Sequence, residues 1–194
     1  MTIKIEQQLH WSINNNGKKF STYNKNEKIY DVWLPYRSKL AAAIINGLEI
    51  FPFFENTSCI YVDSSPENTL NHILNIIGTK EKVFTLNNQQ SNYLNNLKNN
   101  FPNLMFFDNI STIKTVQVDV LYVSLSEQNY ADIILNLQDN LKTDGFLIFI
   151  INNSDLTNEK NLLDLIKTKF DIIQEVFLDD YFKSQTLILC KPII

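Results

Sequence analysis

Apolar and polar positions change period along this chain, and the changes mark its elements. Residues 1–30 alternate Ile3, Ile5, Leu9, Trp11 and Ile13 with polar neighbours and break at Asn14-Asn15-Asn16-Gly17, the pattern of a small β-hairpin or meander. From Pro35 the spacing of Leu40, Ala43, Ile44 and Leu48 is helical, with Gly47 as a stop or close packing point. Cys59 to Val62 predicts a buried strand, and Leu70, Ile73, Leu74 and Ile77 form the apolar stripe of a helix closed by Gly78. The alternation continues with a strand at Lys82 to Leu86, a helix over Gln90 to Asn99, a strand at Asn103 to Phe107, a strand at Val118 to Val123, and a helix through Ile133, Ile134, Leu137 and Leu141. Asp144-Gly145 reads as a turn into Phe146 to Ile151, apolar enough for a central parallel strand. A helix from about Glu159 to Lys169 and two strands, Ile172 to Leu178 and Thr186 to Cys190, complete the chain, the strands joined as a hairpin. Strand and helix in alternation predict an α/β doubly wound sheet with helices on both faces. The expected organisation is a small N-terminal β region over 1–30 and one larger domain over 31–194.

The most informative stretch is Ile60 to Gly78, a strand, a tight turn and a helix. In nucleotide-binding α/β folds this turn is glycine-rich, so that backbone approaches the ligand and helix N–H groups stay available. Here Asp63, Ser64, Ser65, Pro66 and Glu67 fill it. Ser65 suits a helix N-cap, Pro66 suits the first helical turn while removing a donor, and Glu67 puts a carboxylate at the positive end of the helix dipole. The expectation is a helix that caps itself and a scaffold without its cofactor cradle.

Bulk properties narrow the function classes. With 194 residues, 44% of them hydrophobic, the chain is long enough to bury a substantial core. No apolar stretch has membrane-spanning length and the start lacks a signal-peptide pattern, so the expected location is the cytoplasm, without membrane association. Two cysteines, Cys59 and Cys190, lie in strand-like apolar runs and read as buried free thiols; with only two histidines, no metal site is expected. A net charge of −4 argues against a generally basic nucleic-acid-binding surface. Local clusters remain: Lys18, Lys19, Lys25, Lys28, Arg37 and Lys39 near the N-terminus, and an acidic run over Asp171 to Asp180. Their readings are solvated surface, RNA contact for the basic group, or partner docking for the acidic one.

The segment Tyr30 to Leu48, YDVWLPYRSKLAAAIINGL, resembles the fibrillarin family of box C/D RNA 2'-O-methyltransferases, whose archaeal members carry W-x-P-x-R-S-K-L-x-A-A-I-x-x-G-L. The likeness runs through Phe51-Pro52 and across Ile60 to Gly78, where Tyr61, Ser65, Thr69, His72, Ile76 and Gly78 agree with the family pattern; DVLYVS at Asp119 to Ser124 and Lys191-Pro192 extend it weakly toward the end. The resemblance implies a class I methyltransferase fold, a Rossmann-like doubly wound sheet with a C-terminal β-hairpin. It also implies S-adenosylmethionine as cofactor, rRNA or tRNA as substrate, and a Nop-type scaffold protein and guide RNA as partners.

The departures from the family are concentrated where its chemistry sits. At the cofactor turn Asp63 and Glu67 replace glycines, while Ser65 and Thr69 persist; Asn87 stands for the acidic residue that would hold the ribose, and Asp108 still matches the one near the adenine. Of the family's lysine, aspartate, lysine and histidine around the target ribose, Lys39 matches the first, but Ser124, Ile151 and Gln185 occupy the other positions. Arg37 and Lys39 read either as solvated surface or as RNA-phosphate contacts. The resulting expectation is a catalytically degenerate fibrillarin-like protein without a cofactor, in a structural or assembly role. Its alternative is an active S-adenosylmethionine-dependent 2'-O-methyltransferase of rRNA or tRNA with an atypical pocket, using Lys39 and Asp108. His72 reads as a half-buried helix residue, and Trp33 and Pro35 as either a docking edge or ordinary packing.

Overall fold

The computed structural model describes residues 9–14, 17–24, 28–65, 68–86, 92–113, 115–125, 130–153 and 163–193. A small antiparallel sheet comes first, with β1 (His10–Asn14), β2 (Gly17–Asn24) and β3 (Ile29–Val32) side by side in that order. The remaining strands, β4 (Cys59–Asp63), β5 (Val83–Leu86), β6 (Leu104–Phe107), β7 (Val118–Ser124), β8 (Leu141–Asn152), β9 (Phe170–Phe177) and β10 (Gln185–Pro192), form a seven-stranded sheet ordered β6-β5-β4-β7-β8-β10-β9. Pairings from β6 through β8 are parallel, and β10 enters antiparallel between β8 and β9. Helices α1 (Lys39–Ile45), α2 (Leu70–Ile77), α3 (Asn92–Asn100) and α4 (Tyr130–Leu137) connect them.

The central strands are apolar on both faces because both faces are covered. Cys59, Tyr61, Val120, Tyr122, Ile148, Ile150, Leu187 and Leu189 pack with α1, α2 and α3. The alternate residues Ile60, Val62, Leu121, Val123, Leu147, Phe149, Ile188 and Cys190 pack with α4 and Ile166. Period-2 side-chain alternation thus sorts one strand set into two cores. Both cysteines are free and buried, and burial pushes the Cys190 thiol up to about 12, so neither is a ready nucleophile.

Two details differ from the sequence expectation. Asp144-Gly145 is not a turn but lies inside the twelve-residue β8, which also takes in Leu141. A glycine is required there by close approach: a Cβ on Gly145 would stand 2.8 Å from the Asp119 carbonyl oxygen, beside the bulge where β7 shifts register between Val118 and Val120. Helix α1 begins at Lys39 rather than Pro35, because Ser38 takes an extended conformation and its Oγ accepts from the Ala41 N–H at 3.3 Å. In the C-terminal half, residues 163–167 are helical; the expected helix start near Glu159 lies outside the described residues.

Strand β3 spans the boundary drawn after residue 30, and the small sheet shares the main core. Trp33, just past β3, is buried at 1% exposure, stacked on His72 of α2 (4.8 Å, 17°) and edge-on to Phe20 and Phe51. It is packing, not a docking edge. Thr22 and Asp31 button the sheet to α2: Thr22 Oγ1 meets His72 Nδ1 at 2.8 Å and accepts from Asn75 Nδ2 at 3.2 Å, while Asp31 accepts from Asn75 Nδ2 at 3.1 Å.

His72 is therefore buried rather than half-buried, and burial pulls its pKa from 6.5 to about 4 against the opposing charge of Asp31. Because the folded pKa is depressed, this histidine's contribution to stability is intact above 6.5 and is lost as pH falls toward 4, with up to about 3 kcal/mol at stake. Chemical denaturation between those two pH values should show a stability loss that is reduced in His72→Phe; an equal loss in both proteins would rule out His72 as its source.

Candidate functional site

The chain runs from β4 to β5 and β6 on one side, then crosses to β7 on the other, so the topological switch point lies between the carboxyl ends of β4 and β7. Open α/β sheets bind ligands in the crevice outside such a point. Asp63 ends β4 and Ser124 ends β7, paired in parallel register, and the backbone N–H of Ser64 donates to the Ser124 carbonyl at 3.0 Å. Both residues share the face of Tyr61 and Tyr122, the α1 side of the sheet.

Below them the rings of Tyr61 and Tyr122 lie parallel at 4.8 Å, with an interplanar angle of 2°. Tyr61 donates its hydroxyl to Asp63 Oδ2 at 2.6 Å, and the Ser65 backbone N–H donates to Asp63 Oδ1 at 2.9 Å. Above them, Lys39 occupies the first position of α1, and the two helix starts meet where Ser38 Oγ and Thr69 Oγ1 lie 2.8 Å apart. Burial raises the Asp63 pKa; the Tyr61 hydroxyl, the Ser65 N–H, the Lys39 charge and the Ser124 hydroxyl each oppose that rise. Burial likewise lowers the Lys39 pKa, and Asp63 opposes it. Lys39 and Asp63 are thus electrostatic partners. Ser124 Oγ is buried without a hydrogen bond of full geometry, yet close enough to favour the Asp63 carboxylate.

The structure gathers only part of the residue set that the sequence singles out. Lys39, Asp63, Ser65, Thr69 and Ser124 surround the switch point. Asp108 follows β6 on the same carboxyl rim and is exposed, two strand spacings or about 10 Å from β4. Ile151 packs in the core on the opposite face, where Phe149 and α4 lie; its neighbour Ile150 is the one on the Lys39 side. Gln185 opens β10 opposite Asn152 and is half-buried. Pro66, Glu67 and Asn87 lie outside the described residues. Sequence reading missed the stacked tyrosines, although a tyrosine two positions before Asp63 on a strand already shares its face. Among the described residues no group of His, Cys, Asp and Glu could hold a metal ion, and no helix is long and apolar enough to cross a membrane.

This strand order, with helices on both faces, a closing antiparallel pair and a crevice at the β4/β7 switch, defines the class I methyltransferase fold. The fibrillarin family model matches residues 12–193, and the chain belongs to the fibrillarin family. Among similar proteins, the fibrillarin-like rRNA/tRNA 2'-O-methyltransferase of Saccharolobus solfataricus is 28% identical over 179 residues, covering 84% of this chain and 77% of that protein. The Methanococcus jannaschii fibrillarin pre-rRNA processing protein superimposes with a TM-score of 0.83 at 21% identity, covering 99% of this chain and 97% of the other. Aeropyrum pernix fibrillarin, solved with natively bound S-adenosyl-L-methionine, gives 0.76 at 18% identity, covering 98% and 100%. A fibrillarin in complex with Nop5p gives 0.74 at 19%, covering 94% and 97%.

The coupling of Lys39 to Asp63 has a direct consequence. Asp63→Asn removes the charge that supports the Lys39 cation, so the Lys39 pKa should fall further below its ordinary value. A pH titration followed by NMR of 13C-labelled lysine side chains checks this, and an unmoved Lys39 resonance would show that the two groups are not coupled.

Proposed function

We propose that this chain is a fibrillarin-like component of a box C/D-type RNA-modification ribonucleoprotein that keeps the methyltransferase fold, has lost methyl transfer, and serves in structure or assembly. The observation that carries the reading is the Asp63 carboxylate at the switch point. It takes up the Ser65 N–H and the Tyr61 hydroxyl, while the Ser64 N–H goes to the Ser124 carbonyl, so the backbone N–H groups of Ser64 and Ser65 are both used within the chain. A cradle needs those donors directed at the ligand. The Aeropyrum relative holds S-adenosyl-L-methionine, whereas here the turn carries the Asp63 carboxylate, which would repel a ligand carboxylate placed beside it by several kcal/mol in order of magnitude where solvent is excluded.

The catalytic set supports the same reading. A 2'-hydroxyl is a poor nucleophile at neutral pH and must be oriented or deprotonated beside the methyl group. Lys39 is electrostatically coupled to Asp63, Ser124 carries no charge, and Ile151 faces the other core. Retention of the fold with a Nop-type scaffold and guide RNA as partners follows the family, one member of which is solved with Nop5p.

Titration calorimetry with S-adenosylmethionine should give no saturable heat, a methylation assay on a guided RNA target should give no product, and a Nop-type scaffold should still co-purify. Micromolar affinity for S-adenosylmethionine with Lys39-dependent methyl transfer would overturn this and establish the active-enzyme alternative. Exchanging Asp63 and Glu67 together for glycine should recover part of the cofactor affinity.

A further inference from the structure

The chain's charge is divided unevenly. Residues 1–39 carry seven Lys/Arg against three Asp/Glu, whereas residues 40–194 carry ten against eighteen. The basic segment is also where exposed aromatic rings gather. Tyr23 (41% exposed) and Tyr30 (56%) face each other across β2 and β3, their ring centroids 5.0 Å apart, and Tyr36 (61%) stands beside exposed Arg37 in the turn before α1. Three tyrosines so exposed on one small region are not there for the core: Phe20 and Trp33, on the opposite side of the sheet, already fill that role.

Along β3 from Tyr30, exposed Val32 forms the edge of a cleft of about 320 Å³ whose lining includes Arg37, Asn68, Asn71 and Tyr93. The cleft thus presents a guanidinium, two carboxamides and a phenol ring next to the aromatic pair. Aromatic rings with interleaved cations suit unpaired bases and their phosphates: ring faces stack on any base, Arg binds phosphate as a fork, and carboxamides match the donor and acceptor pairs on base edges. Among the described residues of this region, exposed Lys28 and Arg37 add positive charge near the rings, which favours an anionic strand.

We infer that the outer face of the β2–β3 hairpin, continued into the Arg37 cleft, is a binding platform for single-stranded RNA, separate from the Asp63 crevice. The strand stacks bases on Tyr23 and Tyr30, places a phosphate on Arg37, and seats one base in the cleft against Asn68 and Asn71. This rests on the reading of the chain as a ribonucleoprotein component, and it names the surface that meets the RNA.

The test is fluorescence anisotropy of the full chain with a fluorescein-labelled single-stranded oligouridine, alongside an RNA duplex of equal length and co-purification with a Nop-type scaffold. The single strand should bind more tightly than the duplex. Tyr23→Ala with Tyr30→Ala should weaken it by roughly fivefold or more without lowering the melting temperature. The Tyr23→Phe, Tyr30→Phe pair should bind like the parent, since stacking needs the ring and not the hydroxyl. Arg37→Ala should reduce the salt dependence by about one phosphate contact. Equal binding by the double alanine variant, or no binding of the single strand, overturns the platform; if the scaffold is still captured, the ribonucleoprotein reading stands, and if it is not, that reading fails as well. Loss of scaffold capture in the double alanine variant with RNA binding unchanged would make the face a protein-docking surface, which also overturns the inference.

Discussion

A half-buried carboxylate at the carboxyl end of β4, Asp63, organises the groups around it. Burial disfavours its charge, and the fold answers with a hydroxyl from Tyr61, an N–H from Ser65, the hydroxyl of Ser124 and the cation of Lys39. Each of those groups comes from a different constraint. Tyr61 shares Asp63's strand face, Ser124 is brought level by the parallel register of β4 and β7, and Lys39 is placed by the Ser38 cap that starts α1. At the crevice where doubly wound folds receive a ligand, the Asp63 carboxylate finds partners within the chain, whereas the Ser124 and Tyr122 hydroxyls are buried without a full hydrogen bond.

The second constraint is the seam between the small sheet and α2. Trp33 stacked on a buried His72, with Thr22 and Asp31 bonded to α2 side chains, ties strands β2 and β3 to the main sheet's helix layer. A stacking platform needs such rigidity, because bases gain little from rings that must first be ordered. The inward residues of β2 and the segment after β3 supply packing, and the outward ones keep their rings in water.

Much of this was legible in the chain. Apolar runs such as Phe146 to Ile151 gave the central strands because parallel strands covered on both sides need no polar alternation. Turn chemistry misled at Asp144-Gly145, where the glycine serves close contact with Asp119 inside a strand and not a reversal. A proline at position 35 suggested a helix start, but the serine three residues later holds the cap. At the site, the position of Asp63 could be read directly, and alternation alone could have assigned Ile151 to the far core. The stacking of Tyr61 on Tyr122 could not be read, since it depends on the register between strands some sixty residues apart, which only tertiary pairing sets. The same holds for the contact of Ser38 with Thr69, which joins two helix starts.

Survival of Lys39 is the feature that most invites a catalytic interpretation, and electrostatics supplies a different one. A half-buried lysine beside an empty turn would be driven toward its neutral form by desolvation alone, which is the state a general base needs. Here Asp63 pushes the other way without cancelling that effect, so the Lys39 pKa lies below its ordinary value by less than burial alone would give. Asp63 at the end of β4 is thus an electrostatic partner for Lys39 supplied by the fold itself, and each group partly offsets what burial does to the other.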